Sequence, residues 1–143
     1  MGETAETKGS LVIKHRWEYF PALIALIALG IFFKYYNGIL QEFINNSLAG
    51  LVYVIFWCVF FRMIFLKTQS WKITVSVTIT TCLLEFLQLW HPPFLEYLRH
   101  FWLGKALLGT TFNRSDFIWY FTGGFLFYIS ARFGDLFFTN KQT

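Results

Sequence analysis

The stretch SWKITVSVTITTCLLEFLQLWHPP, residues 70–93, decides how the rest of the chain is arranged. As a helix at about 1.5 Å per residue, residues 73–90 cross most of a hydrocarbon core that is roughly 30 Å thick. The helix is expected to end at His91, because Pro92 and Pro93 cannot donate helical hydrogen bonds and restrict the residue before them. The sequence therefore predicts a membrane-spanning helix here.

Five polar side chains of this helix recur at spacings of four, three, four and three, which place them along one face. They are Thr74, Thr78, Thr81, Glu85 and Gln88. Glu85 is the one acidic or basic residue within 73–90. A carboxylate in a membrane costs about 3 kcal/mol on insertion scales, so Glu85 is expected to face protein or trapped water.

The composition excludes an ordinary soluble domain. Hydrophobic residues make up 56% of the 143 residues and charged residues only 14%, so too little polar surface remains to cover a soluble fold. The basic residues form no run, so nucleic acid is not an expected partner. Cys58 and Cys82 lie in hydrophobic segments and have no metal-binding spacing, so neither a metal nor another cofactor is expected.

The hydropathy pattern predicts an all-α integral membrane protein whose four transmembrane helices form one domain, 1–143. A polar leader covers residues 1–16, and an interfacial helix at about 94–107 lies between the third and fourth spans. The spans are expected at about 19–36, 48–66, 73–90 and 117–133.

The distribution of lysine and arginine predicts that both termini lie in the cytoplasm. Eight basic residues fall on the side of the termini and of the link between spans two and three: Lys8, Lys14, Arg16, Arg62, Lys67, Lys72, Arg132 and Lys141. Four fall on the other side: Lys34, Arg99, Lys105 and Arg114. Span three then runs outward, and Glu85 and Gln88 lie in the outer half of the membrane.

The second half of the chain carries a series of motifs in a fixed order: Glu85-x-x-Gln88, Arg99, Leu-Gly-Thr-Thr-Phe at 108–112, and Asp116-x-x-x-Tyr120-x-x-Gly123. In this order the chain resembles uncharacterised bacterial four-helix membrane proteins labelled "ribosomal maturation YjgA family", a domain of unknown function. It is more distantly similar to VanZ-like proteins of the cell envelope. The resemblance covers spans two to four and implies a multi-pass protein of the bacterial cytoplasmic membrane, without a known reaction.

The sequence departs from this family at one position. Members often have Asp where Asn113 stands here. The departure removes one charge from the turn before span four, which weakens the transfer of a metal-binding or acid–base role to this chain.

The candidate polar site consists of residues expected near the outer membrane boundary: Glu85, Gln88, Arg99, Asp116 and Tyr120. One interpretation is a hydrogen-bonded clasp between spans three and four. Polar contacts between membrane helices contribute roughly 0.6 kcal/mol each on average. In this interpretation, Arg99 neutralises Asp116 or Glu85.

The other interpretation is an outward-facing cavity that binds a lipid or lipid-linked headgroup. The candidate headgroup-binding residues are Arg99, Lys105, Thr110, Thr111 and Asn113, because cations and backbone amides at a helix start attract phosphate. Lipid binding is the leading functional hypothesis, and membrane lipids are the expected partners.

Two further functions stay open. An accessory subunit of a larger membrane complex would cover the small-residue faces Ala22-Ala25-Ala28 and Gly123-Gly124 with other membrane proteins. A membrane enzyme would use Glu85 and Asp116 as paired carboxylates, a role that depends on their separation. Whether the chain is an enzyme is therefore not decided by the sequence.

Overall fold

A computed structural model describes the backbone of residues 3–109 and 112–139 and the side chains of residues 17–45, 47–105, 107–109 and 112–133. Every regular element in these ranges is a helix. The predicted all-α class is confirmed for this part of the chain. The helices are α1 (Glu3–Tyr35), α2 (Ala49–Ile64), α3 (Ser70–Leu87), α4 (Pro93–His100), α5 (Trp102–Leu108) and α6 (Asp116–Thr139).

Three boundaries differ from those expected. The first helix begins at Glu3, so it continues through most of the polar leader. A π-helical segment, Phe43–Leu48, leads directly into α2. In place of one interfacial helix at 94–107 there are two, because Phe101 has an extended backbone (φ −80°, ψ 146°) that ends α4 and starts α5.

Helix α2 lies at the centre of the fold. It packs against α1, α3 and α6, and α6 packs in turn against α3. The side chains of Val54 and Cys58 on α2 are completely buried in this core. The end of α3 lies beside the start of α6, where Tyr120 contacts Glu85, and Arg99 of α4 contacts the same end of α3.

The pair Gly123-Gly124 lets α6 approach its neighbours closely. A Cβ at Gly123 would lie 2.7 Å from the Leu51 carbonyl oxygen, and one at Gly124 would lie 2.6 Å from Thr78 Oγ1. Helices α2 and α3 of the same chain therefore cover these glycines, which the accessory-subunit alternative would instead have placed against a partner. The three alanines of the other small-residue face, on α1, are exposed: Ala22, Ala25 and Ala28.

Two helical stretches within the described residues are long and apolar enough to cross a membrane, Trp17–Tyr35 and Phe43–Ile64. Their mean hydropathies are 1.5 and 2.0. This finding indicates a membrane protein, with two spans by these criteria where the sequence predicts four.

Candidate functional site

The carboxylate of Glu85 lies in the last turn of α3, is 1% exposed and is the centre of a hydrogen-bond network. The Tyr120 hydroxyl on α6 donates to Glu85 Oε2 over 2.8 Å, and Gln88 Nε2 donates to the same oxygen over 2.9 Å. The other oxygen, Oε1, accepts the backbone N–H of Asn113 over 2.8 Å. One buried carboxylate thus joins α3, the turn before α6, and α6 itself.

Asn113 connects this network to the start of α6. Its side-chain Nδ2 donates to Asp116 Oδ1 over 2.9 Å, and its Oδ1 accepts from the backbone N–H and the hydroxyl of Ser115. An asparagine whose side-chain oxygen accepts a hydrogen bond from the backbone N–H two residues later forms an Asx turn, which is common at the start of a helix. The same residue therefore holds Glu85 through its backbone and Asp116 through its side chain.

The environment of Asp116 raises the pKa of its carboxyl to about 6. Burial is the main cause, and the nearby charge of Glu85 adds to it, while the neighbouring Ser115 side chain lowers the pKa. Asp116 lies just before the fourth predicted span, so the group that titrates is in the turn at the end of the bundle and outside the membrane-spanning part.

Gln88 is packed beneath the turn that follows α5. Gly109 in this turn has a φ of +68°, a conformation that favours glycine, and a Cβ there would lie 2.4 Å from Gln88 Nε2. Gln88 is 8% exposed, and its Oε1 has no hydrogen-bond partner. The network around Glu85 thus leaves one buried acceptor unsatisfied.

Arg99 lies on α4 and belongs to a separate set of contacts. Its Nη2 donates to the Leu87 carbonyl over 2.9 Å and its Nη1 to the Trp90 carbonyl over 3.3 Å, so it caps the carboxyl end of α3. Its ion-pair partner is Glu96 at 3.0 Å, rather than Glu85 or Asp116 as expected. The reason is geometric, since Glu96 is one helical turn away on α4. Arg99 is 5% exposed, and its Nε is buried without a partner.

The structure therefore brings together four of the five candidate polar residues and places Arg99 beside them at the end of α3. Among the headgroup candidates, Lys105 is exposed on α5 and Asn113 is half-buried in the network. Thr110 and Thr111 lie outside the described residues. The sequence did not predict the hydrogen bond from the Asn113 backbone to Glu85. Every non-proline residue has a backbone N–H, so the residue type does not show which one will donate.

The arrangement is better suited to holding helices than to acid–base chemistry at Glu85. Internal donors occupy both of its carboxylate oxygens, and Asn113 lies between it and Asp116. A general base needs a lone pair directed at its substrate. Catalysis by this carboxylate pair would also require Glu85, which is 1% exposed, to become accessible to a substrate.

One comparison with known proteins found a match. A family model described as "Protein of unknown function (DUF2809)" matches residues 39–124, which include Glu85, Arg99, Asn113 and Tyr120. No curated protein and no solved structure matches the chain. The match confirms the expectation of a family of unknown function, whereas the YjgA and VanZ-like labels stay predictions.

Proposed function

The chain belongs to the DUF2809 family of proteins of unknown function, and we propose that it is a multi-pass membrane protein that binds a polar lipid headgroup. The proposed location is the bacterial cytoplasmic membrane, as the resemblance to envelope proteins of the YjgA and VanZ-like groups implies. The proposed headgroup site lies at the end of α3, where Gln88 and Arg99 are buried.

The exposure of side chains on α3 supports a third membrane span. Its Thr78 and Thr81 are 6% and 4% exposed, whereas Ile79 and Leu83 are 55% and 62% exposed. A helix in water would bury the apolar residues and expose the threonines. Ile73 and Val77 are buried as well. The exposed Ile79 and Leu83 favour lipid on the outside, because polar side chains in membranes face protein.

Helix α6 supports a fourth span in the same way. Its Ile118, Phe121 and Phe125 are each more than 60% exposed, whereas the Tyr120 hydroxyl is turned inward to Glu85. With spans one and two the proposed number is four, and the excess of Lys and Arg on one side supports a topology with both termini in the cytoplasm. Single-cysteine variants test this topology: a membrane-impermeant thiol reagent added to intact cells should label Lys105→Cys and spare Gln142→Cys.

Two unsatisfied polar atoms carry the proposal of a headgroup site. Gln88 Oε1 needs a hydrogen-bond donor, Arg99 Nε needs an acceptor, and both are buried at the end of α3. Buried polar atoms without partners are rare in native proteins, because each costs about 1–3 kcal/mol. A headgroup hydroxyl would donate to Gln88 Oε1, and a phosphate or hydroxyl oxygen would accept from Arg99 Nε.

Native mass spectrometry of the gently extracted protein tests this proposal. Wild-type protein should retain a defined lipid, and both Gln88→Met and Arg99→Ala should lose it. Gln41→Met, at an exposed position in the link after α1, serves as the matched control and should retain the lipid. Retention of the same lipid by all four proteins would contradict a headgroup site at Gln88 and Arg99.

The same experiment separates the two alternative functions. A protein partner bound in a fixed ratio, with no lipid lost on substitution, would favour the accessory subunit. The exposed alanine face of α1 would then be the surface to test. An enzyme would instead show turnover that Glu85→Gln abolishes while the unfolding temperature stays unchanged, which the three hydrogen bonds to Glu85 argue against.

A further inference from the structure

A groove runs along the face between α2 and α3, away from the Glu85 network. One part is a cavity of about 390 Å³ near the start of α3, with Phe65, Lys72 and Ile73 in its wall. The other is a cavity of about 270 Å³ nearer the end of α3, with Tyr53 and Leu84 in its wall. The two cavities share the side chains of Phe61, Val77 and Thr80, so they are adjacent along one groove.

The two ends of this groove differ in chemistry. The end near the α2–α3 link has Lys72 in its wall, and the amine of Lys72 lies 5.7 Å from the centre of the neighbouring Trp71 ring. At the other end Leu107 and Leu108 of α5 form the wall, and the Tyr53 hydroxyl fixes α5 there by donating to the Leu107 carbonyl over 3.0 Å. An occupant with an apolar body and an anionic end would therefore place its charge at Lys72 and its body toward α5.

The dimensions favour a single hydrocarbon chain. From Lys72 to Leu84 the groove follows twelve residues of α3, about 18 Å, which is close to the roughly 15 Å depth of one leaflet. A helix of that length and about 10 Å across would occupy roughly 1,400 Å³. Because the two cavities are much smaller than this, a slender acyl chain fits them better than a helix does.

We propose that this groove binds one acyl chain of an anionic phospholipid whose phosphate pairs with Lys72. The predicted topology places Lys72 on the cytoplasmic side, so the lipid belongs to the inner leaflet. This inference depends on the proposed membrane placement of α2 and α3. It does not depend on the headgroup site at Gln88 and Arg99, which lies at the opposite end of α3.

The test uses the full chain in nanodiscs of phosphatidylcholine and phosphatidylglycerol, followed by native mass spectrometry of the retained lipid. Wild-type protein should keep one phosphatidylglycerol. Lys72→Gln should lower its retention about fivefold, as expected for one lysine at an anionic surface, whereas Lys67→Gln in the same link should not. Thr80→Phe fills the shared part of the groove and should abolish retention, whereas Ile79→Phe, one residue away on the exposed face, should not.

Several outcomes would overturn the proposal. Equal loss in Lys67→Gln and Lys72→Gln would show unspecific attraction to charge, and full retention in Thr80→Phe would show that the lipid lies elsewhere. A second copy of the chain that Thr80→Phe displaces would make the groove a protein interface. Ser76→Phe, which narrows the same groove, replaces Thr80→Phe if that variant does not fold.

Two controls keep this proposal apart from the proposed function. Gln88→Met should leave the phosphatidylglycerol at Lys72 in place, since Gln88 is not in the wall of the groove. Flotation of the protein with vesicles tests the membrane placement itself, and failure to float would overturn both proposals together.

Discussion

The hydroxyl of Tyr120 lies 2.8 Å from Glu85 Oε2, so a phenol on α6 donates to a carboxylate on α3 that is almost completely buried. The two residues are 35 positions apart in the chain, and they join the third and fourth long helices where α3 ends. Because water cannot replace the donor at a buried carboxylate, this contact is expected to matter more than a surface hydrogen bond.

Tyr120→Phe should lower the free energy of unfolding by about 1–3 kcal/mol, because the carboxylate loses a donor while staying buried. Thermal unfolding in detergent, followed by circular dichroism, measures the change. Tyr97→Phe is the matched control, since the Tyr97 ring is 66% exposed, and it should unfold like the wild type. Equal effects of the two substitutions would mean that the hydroxyl of Tyr120 does not hold the helices together.

The titration of Asp116 gives a second prediction. Its folded-state pKa of about 6 lies above the ordinary value of 3.8, so its contribution to stability is complete below about 3.8 and is lost as the pH rises through about 6. Wild-type protein should therefore lose stability relative to Asp116→Asn between pH 4 and pH 7.5. The amide still accepts the hydrogen bond from Asn113, so the difference reports the charge.

The measurement for Asp116 is the difference in unfolding temperature between the two proteins at several pH values. Groups that titrate in both proteins largely cancel in this difference. A difference that is the same at pH 4 and pH 7.5 would show that Asp116 has an ordinary pKa in the folded protein.

The polar face of α3 could be predicted from the sequence, because a helical repeat fixes which side chains share a face. Of the five residues predicted to share this face, Thr78, Thr81, Glu85 and Gln88 are less than 9% exposed and Thr74 is half-buried. Burial of a carboxylate also implies donors around it, and the nearby Gln88 and the distant Tyr120 were both candidates. For these residues, periodicity and the cost of burial were sufficient.

The contacts of the connecting segments could not be predicted in this way. Arg99 was expected to neutralise Glu85 or Asp116, but it caps the carbonyls of Leu87 and Trp90 instead. Its position depends on the break at Phe101 and on how α4 folds back over α3, and neither has a periodic signal in the sequence. The number of spans is also hard to predict. The polar residues that α3 buries lower its mean hydropathy, and α3 is not among the two stretches that meet the hydropathy criterion for a span.

Gly109 provides a third prediction, from backbone geometry. Gly109→Ala should destabilise the protein by about 1–2 kcal/mol, because a left-handed conformation is unfavourable for residues with a Cβ. The new Cβ would also press on Gln88 Nε2. Gly30→Ala on α1 is the control, where the nearest atom is 3.9 Å away and alanine favours the helix.

Unfolding temperatures of the two alanine variants decide this prediction. Gly30→Ala should unfold at or slightly above the wild-type temperature and Gly109→Ala below it. A Gly109→Ala variant as stable as Gly30→Ala would show that the turn adopts another conformation and that Gln88 is not confined beneath it.

Arg62 and Glu85 give the last prediction, which concerns the absence of coupling. The Arg62 guanidinium, at the end of α2, donates to the carbonyls of Leu66 and Thr68 in the link to α3. Glu85 lies fifteen residues beyond the start of α3, a rise of about 22 Å. The free-energy losses of Arg62→Gln and Glu85→Gln should therefore add to within about 0.5 kcal/mol in the double variant, as for other distant sites.

The pair Tyr120→Phe and Glu85→Gln, measured in the same unfolding assay, should instead show coupling of about 0.5–3 kcal/mol, because those two residues share a hydrogen bond. Strong coupling between Arg62 and Glu85 would mean that the two ends of α3 respond to each other, and the helix could not be treated as two independent sites.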